Sequence, residues 1–534
     1  MTSGSMTSLT GTLALTRFIL RRDRIRILVW VVAIVALAAL TVVGIEGLFP
    51  TQAALDQTAA ATAGNAAAIA FNGAPQGLNT VGGQVAFQFG APGMVLVALM
   101  NIFMLGRLTR GEEEAGRLEV VRSLPVGIHA NTLAAALTVG AMDMVVGVLT
   151  AAVLIAQGLP SAGSIVFGLS FILVGLVFGG VALLVAQVTE STRVVYGTAG
   201  AVLGAAFVLR AVGDIGDGTL SWFSPIGVAQ KARPFAGEQW WPLLVLVAAT
   251  VLLVAAASAL AARRDLGAGL VAPRPGPSSA VPSLGTPLGL AFRLQRASLL
   301  GWAAGVGVIG IAYGAIGPTV DAFIGQNQAL AQLMASAGGG SLTDQYFATS
   351  FRVMALLATG FAIQSALRVR SEETSARAEL VLATPVSRWR FAASHVGLAG
   401  VGSVVLLAVA GLATGLSYGL AGGDMQSVPR LLGAALIYAP AMWIMVGLAI
   451  ALDGLVPRLT GASWVILVAF VVVGFLGVVL GLPGWVRDLS PFERVPQLPA
   501  ASLTVLPLVA MTAIAAGLTL IGLTGLRRRD IGRI

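Results

Sequence analysis

Twelve apolar runs of membrane-spanning length dominate this sequence. The hydrocarbon core of a bilayer is about 30 Å thick, so one helical span needs roughly 20 predominantly apolar residues. Only 10% of the 534 residues are charged, against roughly a quarter in soluble domains. The sequence therefore predicts an all-α polytopic membrane protein. The predicted spans are 27–46, 91–107, 131–157, 164–187, 195–213, 242–262, 298–318, 349–367, 391–419, 431–452, 461–481 and 502–525.

The net charge of +9 comes mainly from arginines at the ends of the apolar runs. Basic residues in that position follow the positive-inside rule, so the charge indicates a membrane protein and no nucleic-acid partner. Residues 49–90 contain no Lys or Arg and are predicted to form the first outer loop. This asymmetry places both termini in the cytoplasm. The bias towards Arg, Ala, Gly and Val is typical of a GC-rich bacterial genome, which suggests a bacterial cell membrane.

Residue types needed for catalysis or cofactor binding are scarce. The absence of cysteine excludes disulfides and Cys-ligated metals. His129 and His395 have no second ligand close in sequence, so no metal site is predicted. A Walker A loop, G-x-x-x-x-G-K-[ST], requires a lysine, and Lys231 stands in the unrelated context Ala-Gln-Lys-Ala. We therefore predict no catalytic residue and no cofactor on this chain.

An internal repeat divides the chain into two halves. Residues 110–119 (RGEEEAGRLE) run on to Pro125-Val126, and residues 370–379 (RSEETSARAE) run on to Pro385-Val386, with every matched position offset by 260. Because each half carries six predicted spans, both copies begin on the same side and form a parallel repeat. The predicted domains are a first half at 1–265, a linker rich in Pro, Gly and Ser at 266–290, and a second half at 291–534.

Two shorter sequence matches between the halves support the duplication. Ser224-Pro225 recurs as Ser490-Pro491 at an offset of 266. The run Arg264-Asp265-Leu266-Gly267 recurs as Arg529-Asp530-Ile531-Gly532 at an offset of 265. These offsets lie close to half the chain length, which indicates a dimer fused into one polypeptide.

The repeated segments predict a short charged helix on the inner side of each half. Glu113 and Arg117, like Glu373 and Arg377, stand at i and i+4 with the acid first, the favourable order for a helical ion pair. The proline that follows each segment predicts a bend before the next span. Topology requires only the basic residues, so the recurring glutamates predict a docking or coupling surface rather than a solvated loop.

The doubled chain, the Arg-x-Glu-Glu pattern with its downstream Arg-x-Glu and Pro-Val, and the Ser-Pro motifs resemble ABC-2-type permeases of the polyketide-antibiotic (tetronasin-like) exporter family. The resemblance implies a type V exporter fold and a partnership with two copies of a separate ATPase, which would bind ATP and Mg. It implies coupling helices near 108–125 and 368–385. The implied ATPase-coupling residues are Arg110, Glu112, Glu113, Arg117, Glu119, Arg370, Glu372, Glu373, Arg377 and Glu379.

The amino-terminal stretch Leu9–Arg26 places apolar residues beside arginines. Two interpretations remain open: an amphipathic helix in the membrane interface, or a basic anchor that fixes topology. The resemblance implies that such a helix touches the ATPase, as it does in related half-transporters.

Asp143 is the most conspicuous charge within a predicted span. It lies about 18 Å along the third span, near the middle of the bilayer. An ionisable residue at that depth predicts a proton, substrate or helix-pairing site. Arg210 in the fifth span is the candidate partner for a structural pair, and the equivalent region near Ser403 has no acid.

Phenylalanines in four spans suggest an apolar export pathway, because the resemblance implies that these spans line a central cavity. A phenylalanine in a spanning helix also packs against lipid or a neighbouring helix, so both interpretations stay open. The outer loops 49–90 and 318–345 have helix-compatible stretches around Ala59 and Ala331 that would form a lid. The candidate pathway residues are Phe103, Phe207, Phe361 and Phe470, together with Asp143.

The resulting hypothesis is a non-enzymatic permease subunit of an ATP-driven exporter that extrudes hydrophobic or amphiphilic compounds. The alternative is a proton-coupled secondary multidrug transporter of the twelve-span facilitator type, which also has two parallel six-span halves. That class usually has a short basic loop after the second span, whereas the loop here is acidic as well and repeated. A membrane-embedded enzyme would gather carboxylates or histidines at one face, and these gather only in the repeated segments.

Overall fold

The computed structural model describes residues 8–63, 66–263, 268–271, 278–320, 341–476 and 483–529. These residues form helices and connecting turns, with no β-strand among them. The chain divides into two compact units, Met1–Gly276 and Pro277–Ile534. The division falls within the predicted linker, of which 266–267 and 272–277 lie outside the described residues.

The first unit begins with a short amphipathic helix and continues into long apolar ones. Two short helices separate its first two spans. Its helices are α1 (Thr12–Arg22), α2 (Arg24–Leu48), α3 (Gln52–Ala63), α4 (Ala66–Asn72), α5 (Val81–Leu108), α6 (Arg110–Glu114), α7 (Arg117–Arg122), α8 (Ala130–Ala156), α9 (Ser161–Val188), α10 (Thr192–Ile215), α11 (Pro225–Gln230) and α12 (Trp241–Ala261).

The second unit contains a similar succession of long and short helices. The predicted outer helix around Ala331 lies outside the described residues. So do 264–267 and 530–532, which belong to the short repeated segments near the ends of the two halves. The helices are α13 (Pro287–Ile316), α14 (Leu342–Ala366), α15 (Arg368–Thr374), α16 (Arg377–Leu382), α17 (Arg388–Leu420), α18 (Ser427–Leu436), α19 (Ala439–Leu455), α20 (Ala462–Leu476), α21 (Gly484–Arg487) and α22 (Val505–Arg528).

Eleven helical segments of the described chain are long and apolar enough to cross a membrane, which confirms an all-helical polytopic protein. The predicted span 461–481 corresponds to α20, whose 15 residues fall short of a bilayer crossing. Residues 477–482, which continue that predicted span, are outside the described part. The count of twelve spans and the parallel arrangement of the two halves therefore remain predictions.

The second span begins ten residues earlier than the apolar run predicts, at Val81 instead of 91. Its first turns carry Gln84, which interrupts the hydropathy signal but is almost completely buried. The Gln84 amide donates a hydrogen bond to the Leu78 carbonyl at 2.7 Å. A membrane span can carry a buried polar side chain when that side chain makes a hydrogen bond and other helices surround the span.

Helices α5 and α9 form the interior of the first unit, and α14 and α19 that of the second. Most of each of these spans is buried, whereas α2, α12, α13 and α22 bury about a fifth or less. The outer helices are nevertheless apolar around much of their circumference, as the exposed Leu28, Val29 and Val32 of α2 illustrate. Helices of this kind face lipid in a membrane.

Candidate functional site

Each repeated Arg/Glu segment folds as two short helices joined by a left-handed residue, and we call these segments the elbows. The first elbow comprises α6 and α7, with Gly116 at φ 69° between them. The second comprises α15 and α16, with Ala376 at φ 58°. The left-handed region costs a non-glycine residue about 1 kcal/mol or more, so tertiary contacts must hold Ala376 in place. The two turns occur at equivalent positions, 260 residues apart.

The ion pairs in the elbows differ from the predicted i, i+4 pairs of Glu113 with Arg117 and Glu373 with Arg377. Arg117 Nε lies 2.7 Å from Glu112 Oε2 in the first elbow. In the second, the Nε of Arg377 lies 2.8 Å from the matching glutamate, Glu372. The left-handed residue breaks the helix between acid and base, so the side chains meet across a turn at a separation of five.

A second arginine completes the pairing of each of these buried glutamates. In the first elbow, Arg22 Nη2 of α1 lies 3.1 Å from Glu112 Oε1. In the second elbow, Arg368 Nη2 lies 2.7 Å from Glu372 Oε1. Removing one partner from a buried ion pair leaves an uncompensated charge and is strongly destabilising. The two arginines around each glutamate therefore help to fix the shape of the elbow.

The first elbow is fastened to the ends of neighbouring spans. Arg110 is almost fully buried, and its Nε and Nη2 donate to the carbonyls of Ala186 at 2.5 Å and Ala268 at 3.0 Å. Its Nη1 also lies 2.7 Å from Glu113. Glu114 accepts hydrogen bonds from the backbone and hydroxyl of Thr192 at 2.7 and 2.8 Å. This elbow is thus bound to the end of α9 and the start of α10.

The second elbow is fastened by side chains of α19 and the residue after α22. Arg370 Nε lies 3.8 Å from Asp453 Oδ1. Arg529 pairs with Glu373 and also lies 3.7 Å from Asp453. Thr374 stands where the first elbow has Glu114. The two elbows therefore share their internal fold but are joined to the spans by different bonds.

The tips of both elbows are exposed. Glu119 and Glu379 are solvent-exposed, and the apolar side chains that follow them, Val120 and Leu380, are 70% and 76% exposed. The coupling residues predicted from the sequence therefore fall into two groups. Those nearest the spans build the elbow, and those at the tip are available to a partner.

The amphipathic helix α1 is joined directly to the first elbow region. Asp23, between α1 and α2, accepts from Arg22 at 3.0 Å and from Arg26 at 2.6 Å, and also pairs with Arg107. Burial alone would raise the pKa of the Asp23 carboxyl. The hydrogen bonds from the three arginines outweigh burial and hold that pKa below its usual value. The outer face of α1 exposes Leu13 and Phe18.

Asp143 is fully buried at the middle of α8, and its partner is Asn101 instead of Arg210. Asn101 Nδ2 donates to Asp143 Oδ1 at 2.7 Å, which joins α5 to α8. No described residue donates a hydrogen bond to Oδ2. Gly175 of α9 packs against the carboxyl, and a Cβ there would collide with it. The residues equivalent to Asn101 and Asp143 in the second half are Phe361 and Ser403.

Arg210 instead binds the outer loop of its own unit. Its Nη2 donates to the carbonyls of Ala70 at 2.6 Å and Phe71 at 3.1 Å, at the end of α4. Its Nη1 lies 3.5 Å from Asp214. The guanidinium lies over the Phe207 ring, 4.4 Å from its centroid. Arg210, predicted as the partner of Asp143, therefore anchors α4 instead. The stretch predicted to be helical around Ala59 forms the preceding helix, α3.

The four candidate pathway phenylalanines have different surroundings. Phe103 is 42% exposed and makes an edge contact with Tyr196, and Phe207 lies beneath the Arg210 guanidinium. Phe361 is fully buried against Gly402, and Phe470 contacts Phe492 at a centroid distance of 6.4 Å. Their role in a pathway remains a prediction.

Sequence reasoning missed an ion pair that joins a span of the second unit to an irregular segment. Arg352 of α14 donates to both carboxylate oxygens of Glu493, at 2.8 and 2.9 Å. Asp453 and Arg529, which hold the second elbow, were also missed. The sequence does contain a signal for Arg352 and Asp453, because a single charged residue within an apolar helix indicates a functional site.

Replacing Asp143 by leucine is expected to lower the free energy of unfolding by about 1–3 kcal/mol, because the Asn101 amide is left buried without its partner. The Asn101→Leu/Asp143→Leu double variant should recover part of that loss, whereas Arg210→Leu/Asp143→Leu should recover none. Thermal unfolding of the detergent-solubilised chain provides the measurement. Ser403→Ala at the equivalent position is the control, with an expected loss below about 1 kcal/mol. Strictly additive losses for Asn101 and Asp143 would show that the pair contributes nothing.

Comparison with known proteins relates the full chain to efflux permeases. It is 38% identical over 527 residues, 98% of its length and 95% of the relative's, to multidrug efflux system permease protein Rv1217c of Mycobacterium tuberculosis (strain ATCC 25618 / H37Rv). Residues 284–527 match the family described as multidrug efflux system permease Rv1217c, C-terminal domain. The chain therefore belongs to the family of multidrug efflux system permeases.

Proposed function

We propose that this permease is the membrane subunit of an ATP-driven ABC-2-type exporter of the tetronasin-like group, energised by two copies of a separate ATPase. The structure of the two elbows is the main support for this proposal. Each is held in shape by buried ion pairs and presents an exposed glutamate and an exposed apolar residue at its tip. Two similar docking surfaces on one chain suit two copies of one partner.

The bonds of the elbows provide a route from a docked ATPase to the spans. In the first unit, Arg22 connects the elbow to α1, and Arg110 connects it to the end of α9. In the second unit, Arg370 connects the elbow to α19, and the pairing of Arg529 with Glu373 connects it to the end of α22. Since these side chains are largely buried, displacement of an elbow would move the attached helices.

The remaining parts of the proposal follow from the sequence. ATP and Mg bind to the partner chain, since the single lysine, Lys231, is not in a Walker A loop. The cargo is a hydrophobic or amphiphilic compound, in keeping with the efflux function named for the relative. The elbows and both termini lie in the cytoplasm of a bacterial cell, where arginine-rich ends are expected.

One observation favours a second candidate, a proton-coupled secondary transporter. Asp143 is a fully buried carboxyl within a span, and its Oδ2 has no hydrogen-bond donor among the described residues. Intramembrane carboxyls of this kind serve as proton relays in transporters. This candidate gives no role to the exposed tips of the elbows, which is why we prefer the ATP-driven one.

Inside-out vesicles from cells that overproduce the permease with its ATPase distinguish the two candidates. We expect uptake of a fluorescent amphiphile to require ATP, to be blocked by vanadate and to persist when a protonophore collapses the proton gradient. Vesicles with the permease alone are the control and should show no ATP-dependent uptake. Uptake that does not require ATP and is abolished by the protonophore would reject the ATP-driven exporter in favour of the secondary transporter.

A further inference from the structure

The ion pair between Arg352 and Glu493 joins a span of the second unit to a segment outside the spans. Arg352 is ten residues from the start of α14 at Leu342, which places it about 15 Å along the helix. Glu493 belongs to the irregular segment between α21 and α22 that follows the repeated Ser490-Pro491 motif. Ionised side chains at membrane depth are costly, and they face the protein interior or a water-filled cavity.

The first half has no charged residues at the two equivalent positions. The position equivalent to Arg352 at the offset of 260 is Pro92, and the position equivalent to Glu493 at the offset of 266 is Gly227. The fold of a half therefore does not require these charges. A costly pair that only one half carries calls for a role beyond holding the fold together.

The geometry leaves the pair accessible. The side chains of Arg352 and Glu493 are 18% and 19% exposed, although the neighbouring Phe351 and Phe492 are fully buried. Both hydrogen bonds to the carboxylate come from one nitrogen, Nη1. An arginine that binds a carboxylate most strongly uses two parallel N–H donors. The carboxylate is thus partly exposed and held by one nitrogen of the guanidinium instead of two.

The surroundings of Glu493 are aromatic and closely packed. Phe492 precedes it and contacts Phe470 of α20 at a centroid distance of 6.4 Å. Glu493 Oε1 faces Gly474 of the same helix, where an added Cβ would approach it to 3.2 Å. Phe470 lies one turn before Gly474, on the same face of α20. A carboxylate at a helix face that also carries an aromatic ring is suited to an organic cation, which gains ion pairing and cation–π attraction together.

We propose that Glu493 is a recognition residue for cationic amphiphiles, and that Arg352 is the counter-ion that such a cargo displaces. The inference rests on the proposed export function and adds a cargo class to it. When a cation enters, its charge takes the place of Nη1 at the carboxylate, and its apolar body lies against the half-buried Phe470. Neutral amphiphiles gain nothing from the carboxylate and are bound independently of it.

Binding to the purified full-length chain in lipid nanodiscs tests the inference without ATP or a partner. The probes are tetraphenylphosphonium, a permanent cation, and Nile red, a neutral dye. Glu493→Gln is expected to weaken tetraphenylphosphonium binding by about tenfold, the equivalent of one lost charge-assisted contact, and to change Nile red binding less than about twofold. Arg352→Gln removes the competitor and should strengthen cation binding.

Two further variants keep the test decisive. The Arg352→Gln/Glu493→Gln double variant leaves no unpaired charge, and it should lose cation binding even if Glu493→Gln alone fails to fold. Asp344→Asn disrupts the pairing of Asp344 with Arg430 near the start of α14 and is the matched control, with both probes bound as in wild type. Wild-type cation binding in the double variant would overturn the inference. Equal loss of both probes in both single variants, restored in the double variant, would assign the pair a structural role only.

Failure of the proposed function gives a different result. If vesicles show no ATP-dependent uptake but Glu493→Gln still selectively weakens cation binding, the cargo site stands and the energy source is wrong. If uptake is ATP-dependent and cation binding is the same in Glu493→Gln as in wild type, the proposed exporter function is supported and the proposed cargo site is wrong.

Discussion

Export is expected to fall more than about tenfold when Glu119 and Glu379 are both replaced by arginine, because the charge at the tip of each elbow is reversed. Like charges placed opposite each other in an interface cost several kcal/mol, and tenfold corresponds to only about 1.4 kcal/mol. Both side chains are exposed, so the free energy of unfolding should change by no more than about 0.5 kcal/mol. ATP-dependent dye uptake and co-purification of the ATPase measure the effect.

The matched control reverses two exposed acids at the opposite end of the spans. Asp217 follows α10 and Asp424 follows α17, and each lies in an exposed turn. Asp217→Arg/Asp424→Arg is therefore expected to retain uptake and co-purification. The single variants Glu119→Arg and Glu379→Arg should each retain part of the uptake, since one docking surface remains. Normal assembly and uptake in the Glu119→Arg/Glu379→Arg variant would mean that the tips do not contact the ATPase.

The elbows show what sequence periodicity predicts and where it fails. The repeated acids and the bend after them could be read from the sequence, but which of the acids are buried and which are exposed could not. The ion pairs could not, because counting i, i+4 assumes an unbroken helix. Gly116 was the only local signal for the break, and its counterpart, Ala376, carries none, since alanine favours helix. Tertiary contacts therefore overrode the helix propensity of Ala376.

Long-range partners explain most of the remaining differences. Arg352 and Glu493 are 141 positions apart in the chain, and no local pattern links them. A hydropathy window tolerates one charge in an otherwise apolar run, so Arg352 did not disturb its predicted span. Charge complementarity pairs Asp143 with Arg210, whereas its partner in the structure, Asn101, is a neutral amide. Spans are thus predictable from composition, but pairings between spans are not.

Replacing Arg210 by methionine is expected to release the outer helix α4 and to lower the free energy of unfolding by about 3–5 kcal/mol, the cost of removing one partner of a buried ion pair. The guanidinium is fully buried and binds the carbonyls of Ala70 and Phe71, which as terminal helix carbonyls have no partner within α4. Asp214 would lose its counter-ion and keep only the hydrogen bond that the Ser221 hydroxyl donates to it at 2.5 Å. Hydrogen exchange in residues 66–72 and thermal unfolding measure the two effects.

The Arg210→Met/Asp214→Asn double variant separates these effects, because it removes the unpaired charge but not the loss of the carbonyl contacts. Its melting temperature should recover towards wild type, while hydrogen exchange in α4 stays fast. Lys231→Met is the control: Lys231 lies 5.2 Å above the Trp222 ring, and such a contact contributes about 0.5–1 kcal/mol. Gln230, which donates to the Asn72 carbonyl at 2.6 Å, would remain as the second tether of this helix. If α4 exchanges as slowly in Arg210→Met as in wild type, Gln230 alone holds the outer helix and Arg210 is not its anchor.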